Sequence, residues 1–164
     1  MTGFTFSNAS RAVLCSLVPV VCPPEAHDLA AAIVDHMALT VGASPALLRR
    51  GIEAGLRTYD LGALLRHGRR ARSLTGDAAE RYFRSWERGP TPLHRQLAHA
   101  INQLMSLSCY EQPAMMERVG YQPAPWIAEV TKKRLTVYAD DVRRQDAQIL
   151  APDPLRPVQK KVRA

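Results

Sequence analysis

Apolar positions recur along this chain at spacings of three and four residues, and no segment sustains an alternation of two. A period near 3.6 marks helices with one buried face, so the pattern predicts an all-α protein. Ser7 or Asn8 can cap a first helix carrying Ala12, Val13, Leu14, Leu17 and Val18, which Pro19 and then Pro23-Pro24 bring to a close. Pro24 opens a second helix with Glu25 and Asp28 near its positive end and Ala26, Leu29, Ala30, Ile33 and Met37 on one face, ended by Gly42. Ser44-Pro45 opens a third, with the stripe Leu48, Ile52, Leu56 and Tyr59 facing a core.

The run "LLRHGRRAR" follows, then Thr75 as an N-cap with Asp77 in the first turn of a helix that carries Tyr82, Phe83 and Trp86. On its outer side Asp77 stands opposite Arg81 and Glu80 opposite Arg84 at i, i+4. Gly89-Pro90 stops it, and Thr91-Pro92 starts the clearest helix, striped by Leu93, Leu97, Ile101, Leu104, Met105 and Ser108 up to Tyr110, expected at the centre of the core. A short turn from Pro113 leads to "GYQPAPWI", residues 120–127, and a last helix is predicted over 127–138. Beyond Asp140 apolar periodicity fades and three prolines fall in the last thirteen residues, as in a chain that cannot bury enough surface to fold alone. The expectation is a compact bundle of about five to six helices over 1–138, and over 139–164 an extended or disordered basic tail able to wrap a partner.

Length and composition fit this picture: 164 residues suffice for one modest core, and 46% apolar with 23% charged residues is ordinary for a folded domain. The net charge of +7 is unevenly spread. Residues 65–95 hold eight arginines against three acids and residues 128–164 nine bases against five acids, while the rest of the chain is slightly acidic. Such patches speed association with acidic partners without choosing among nucleic acid, membrane and protein. The three cysteines, Cys15, Cys22 and Cys109, are odd in number and lack a CxxC pair, which points to buried thiols in a reducing compartment. The apolar run 12–22 is interrupted by Pro19 and lacks a small-x-small cleavage pattern, so it is read as a helix of the fold and not as a secretory signal; it is also too short to span a membrane.

Recognisable catalytic motifs are missing: there is no GxGxxG, GxxxxGK[ST] or GxSxG. The closest histidines, His94 and His99, stand five apart and so about 140° apart on a helix, against the i, i+4 spacing a metal pair wants. Gly51 and Gly55 form GxxxG, but Arg49, Arg50, Glu53 and Arg57 surround it, favouring close packing of soluble helices over a membrane dimer. Arg66, Arg69, Arg70 and Arg72 followed by Tyr82, Phe83 and Trp86 admit an alternative, a basic helical nucleic-acid-binding or regulatory module, although no known DNA- or RNA-binding pattern frames them.

The segments "RRARSLTGDAAERYFRSWERG", "PLHRQLAHAINQLMSLSCYEQP" and "MMERVGYQPAPW" together resemble the small, gamma-type subunits or fused N-terminal segments that accompany glucose-methanol-choline flavin oxidoreductases, and more distantly gluconate 2-dehydrogenase subunit 3. The resemblance covers about residues 64–127, and "ASRAVLCSLVPVVCP" more loosely. It implies a non-catalytic accessory subunit that stabilises a large subunit holding FAD and the catalytic histidine, with no cofactor or catalytic residue on this chain. The tail from 138 looks like the connector that in fused versions leads into the flavin domain. No twin-arginine leader stands within residues 1–11, which favours a cytoplasmic complex or one peripheral to a membrane. On this reading the partner interface comprises Trp86, Tyr110, Tyr121, Pro123, Pro125, Trp126, Arg143, Arg144, Pro154 and Arg156. Pro123 and Pro125 restrict the backbone and cheapen the ordering of Tyr121 and Trp126, which either anchor a partner or close the domain's own core.

Overall fold

The computed structural model describes residues 3–148, and within them the chain is helical with no strand. It forms two compact units, one up to Tyr121 and one from Gln122.

The first unit holds α1 (Asn8–Val21), a 3-10 turn (Pro24–Leu29), α2 (Ala30–Gly42), α3 (Ala46–His67), a 3-10 turn (Ala71–Ser73), α4 (Gly76–Glu87), α5 (Pro92–Tyr110) and α6 (Pro113–Arg118). The second holds α7 (Pro123–Leu135) and α8 (Ala139–Gln148), so eight α-helices stand among the described residues where five to six were expected.

Capping follows the sequence at two starts. The Ser7 hydroxyl accepts from the Ser10 N–H, and Thr91 accepts from the His94 N–H. Thr75 occupies the N-cap of α4 without a side-chain hydrogen bond.

Pro19 does not stop α1, which runs on to Val21 and closes with the Cys22 N–H on the Val18 carbonyl at 2.8 Å. A proline so near a helix end removes one intrahelical bond and leaves only a few residues beyond it to distort. Pro24 opens a 3-10 turn before α2, and α3 continues past Gly62 to His67, ended by Gly68 in the left-handed region at φ 65°.

The centre of the first unit is α1, which touches α2, α3, α4, α5 and both 3-10 turns; α5, the expected centre, packs on α1, α2, α4 and α6. Val13, Leu14, Leu17 and Val18 are almost fully covered, meeting a core that includes Ile33, Met37, Leu56 and Met105. Only the second half of α3 faces that core: Leu56 and Tyr59 are buried, Ile52 is partly so, and Leu48 is exposed. Gly55 meets the Leu97 side chain, where a Cβ would stand 2.9 Å from Leu97 Cδ1, so this half of GxxxG does pack two helices closely; Gly51 has nothing within 4 Å.

Carboxylates tie the elements together. Glu53 on α3 accepts from the Ser7 N–H at 2.9 Å, the Ser7 hydroxyl at 2.9 Å and the Ser10 hydroxyl at 2.6 Å, which fixes the start of α1. Burial alone would raise the Glu53 pKa, but these hydrogen bonds outweigh it and hold the carboxyl below its ordinary value. Asp60 is buried and accepts from the Arg72 N–H at 3.2 Å, with the Arg70 and Arg72 guanidinium groups at 3.6 and 3.7 Å. Arg118 grips Asp28 with two hydrogen bonds of 2.7 and 2.8 Å, joining α6 to the first 3-10 turn.

The second unit corrects two expectations. Pro123 and Pro125 do not form a loop ahead of a helix; they lie in the first turn of α7, where backbone N–H groups have no intrahelical acceptor to lose. The segment from 139, expected to be extended or disordered, is helical over Ala139–Gln148, with Asp140 and Asp141 at its positive end and i, i+3 pairs Arg143–Asp140 and Arg144–Asp141. The remainder of the expected tail lies outside the described residues.

Candidate partner interface

The ten residues assigned to an interface separate into five groups. Trp86 is a core residue, 7% exposed, with its ring 5.1 Å from Tyr59, 6.4 Å from Tyr82 and 4.4 Å from His94. Little of its surface is left for a partner to touch. The Tyr82 hydroxyl donates to the Tyr59 carbonyl at 2.8 Å, which closes this aromatic cluster between α3 and α4.

Tyr110 and Tyr121 are both exposed, and the fold brings them together: with Met116, Val119 and Gly120 they line a shallow cavity of about 450 Å³. Gly120 makes this possible. At φ 69° it ends α6 and lets the Tyr121 N–H reach the Met116 carbonyl at 2.8 Å, a helix stop that a side chain would strain.

Pro123, Pro125 and Trp126 stand on α7, none of whose residues is buried. Trp126 is 65% exposed, and Ile127 and Leu135 are exposed with it. On a helical wheel Pro123, Trp126, Ile127 and Val130 share an arc of about 100°. Lys132, Lys133 and Arg134 follow in its last turn, where cations complement the helix dipole. Arg143 and Arg144 are exposed on α8 and paired only within it, while Pro154 and Arg156 lie outside the described residues.

Sequence reasoning missed an apolar groove of about 410 Å³ between α2, α3 and α5, walled by Val41, Leu48, Ile52, Leu104 and Leu107. Leu39 and Leu47 are also exposed. The signal was the Leu47-Leu48 doublet at the start of α3, a turn ahead of the stripe that faces the core.

The basic run 64–72 is partly committed, with Arg70 and Arg72 turned to Asp60. Tyr82, Phe83 and Trp86 are buried, so they are not available to stack on bases as the nucleic-acid alternative required.

Burial pushes the Cys22 thiol up to about 12, helped by the neighbouring Cys109 thiol, and burial raises Cys15 as well. The histidines stand apart: His36 meets Glu111 at 3.2 Å, His94 packs on Trp86 and His99 pairs with Gln103. Among the described residues no three His, Cys, Asp or Glu side chains gather where they could hold a metal ion, and no helix is long and apolar enough to cross a membrane. Comparison of the chain with protein-family models, curated proteins and solved structures gave no match.

Proposed function

We propose that this chain is a non-catalytic accessory subunit of an FAD-dependent alcohol- or sterol-type oxidoreductase, docking on the large flavin-bearing subunit and stabilising it. The observation that carries the docking part is α7, a helix with Trp126 and Ile127 in solvent and no buried residue of its own. Isolated helices of this length are marginal in water, and an apolar arc on one is stabilised by a surface that covers it. A tryptophan preceded by prolines in a first helical turn is a pre-ordered anchor of the kind that dominates interface energetics.

Asp28, Asp35, Glu53 and Asp60 are engaged in ties between elements, and each serves a structural purpose. The identity of the partner, and the placing of FAD on it, rest on the sequence resemblance over residues 64–127 alone.

Co-expression with a glucose-methanol-choline-type flavoprotein tests the reading. The expected product is a yellow complex from which this chain does not separate in size-exclusion chromatography. A colourless monomer that leaves the flavoprotein's solubility and flavin content unchanged overturns it.

A further inference from the structure

A second basic surface lies apart from the arginine-rich stretch 64–72. Residues 3–7 run without helix alongside α3, and between them opens a groove of about 640 Å³. Phe4, Phe6 and Ser7 line one side, and Ala46, Arg49, Arg50, Glu53, Ala54 and Arg57 the other.

Its walls are fixed by contacts within the first unit. Phe4 sits on Gly42, where an added Cβ would come 3.0 Å from Phe4 Cβ. Arg49 donates to the Gly42 carbonyl at 2.8 Å and places its guanidinium 5.9 Å from the centre of the Phe4 ring. Phe6 meets Phe4 edge-on at 5.2 Å.

The positive charge in this groove is largely uncommitted. Among the described residues Arg50 and Arg57 are exposed and make neither a hydrogen bond nor an ion pair. The one acid present, Glu53, is occupied by the three donors of Ser7 and Ser10 at the positive end of α1, with Arg57 near but beyond ion-pair distance. Arg49, Arg50, Glu53 and Arg57 lie on one face of α3, and Arg50 and Arg57 are about 10 Å apart along its axis.

We infer that this groove receives an acidic, extended segment of a partner protein. An extended chain carries same-face side chains about 7 Å apart, so three alternate carboxylates span about 13 Å and cover both arginines within their reach. The Phe4 ring and the Ala46 and Ala54 methyl groups offer apolar contact to the atoms between. Arginine forks recognise carboxylates with two parallel hydrogen bonds, which gives such a groove geometric selectivity as well as charge. The inference rests on the docking reading and adds the chemistry of one contact.

The test uses the full chain and a fluorescein-labelled decapeptide of alternating Glu and Ala, read by fluorescence anisotropy, with a Gln-Ala peptide as control. The Glu-Ala peptide should bind and weaken steeply as salt rises. The Arg50→Gln/Arg57→Gln variant should lose about tenfold or more in affinity, with each single change intermediate. These positions are exposed, so the variant's circular dichroism melt should match the wild type. No binding, equal binding of the Gln-Ala peptide, an unchanged affinity in the double variant, or displacement by inorganic phosphate at the peptide's own concentration overturns the inference. Co-expression separates it from the reading beneath it. A flavoprotein complex that survives Arg50→Gln/Arg57→Gln removes only this groove, whereas failure of the wild type to form any complex removes the docking reading itself.

Discussion

The chain has two tryptophans, and the fold gives them opposite burdens. Trp86 is 7% exposed inside the Tyr59–Tyr82–His94 cluster, whereas Trp126 is 65% exposed on a helix with no buried residue. A tryptophan side chain buries up to about 250 Å², so Trp86 removes nearly all of that from water, an upper bound of about 6 kcal/mol at 25 cal/mol per Å². Alanine leaves a cavity that only partly collapses, and the measured cost of such a change is about 3–5 kcal/mol. At Trp126 about a third of the same area is covered, an upper bound near 2 kcal/mol. Alanine's better helix propensity returns about 0.5 kcal/mol, so the net change should not exceed about 1.5 kcal/mol. Urea titration of the isolated chain, followed by circular dichroism at the helix band, measures both. Trp86→Ala should shift the main transition far toward low urea, and Trp126→Ala should leave it nearly unmoved. A loss of about 3 kcal/mol or more at Trp126 would refute its exposure, and a neutral Trp86→Ala would refute the aromatic cluster.

Two glycines of α3 provide a paired test: Gly51→Ala meets nothing within 4 Å and should stabilise the chain by about 0.5–1 kcal/mol, whereas at Gly62 a Cβ would stand 2.8 Å from the Tyr82 hydroxyl, so Gly62→Ala should destabilise by about 1–3 kcal/mol; equal midpoints in urea would count against this packing. Because the Glu53 pKa is lowered in the folded chain, its contribution is present above the ordinary carboxyl value of 4.5 and is lost as pH falls through the folded one. The stability gap between wild type and Glu53→Gln should therefore be widest near neutrality and shrink in acid, and a gap that grows in acid would reverse the sign. Cys22, pushed up to about 12 and buried, should resist iodoacetamide at pH 8 in the native chain and react in denaturant; fast native labelling at Cys22, located by peptide mass, would contradict its burial.

The longer helices of the first unit were legible because each hides one apolar stripe and several begin at a Pro or a capping hydroxyl. Ser7 and Thr91 behave as their chemistry dictates, and the Tyr82–Phe83–Trp86 stripe is buried as helical spacing requires. Reading Trp86 also as an interface residue asked one side chain to serve two places. Pro19 misled because a proline's effect depends on how much helix follows it, and Pro123 and Pro125 because their first-turn role needs a helix start that no Ser, Thr, Asp or Asn announces. Local charge pairing decided Ala139–Gln148, where Asp140 and Asp141 precede Arg143 and Arg144, a pattern that supports a helix without any apolar stripe. The groove of Arg50 and Arg57 was not legible, since its other wall is the non-helical stretch 3–7, brought there by the Ser7 and Ser10 hydrogen bonds to Glu53 across more than forty residues.

The most direct measurement is the absorbance spectrum of whatever co-purifies with this chain when a glucose-methanol-choline-type flavoprotein is expressed together with it. Docking on a flavoprotein predicts flavin bands in one size-exclusion peak holding both chains, and a marked loss of that peak on Trp126→Ala while the isolated subunit keeps its fold. A colourless peak of this chain alone, with the oxidoreductase folded and flavin-loaded elsewhere in the column, would contradict it.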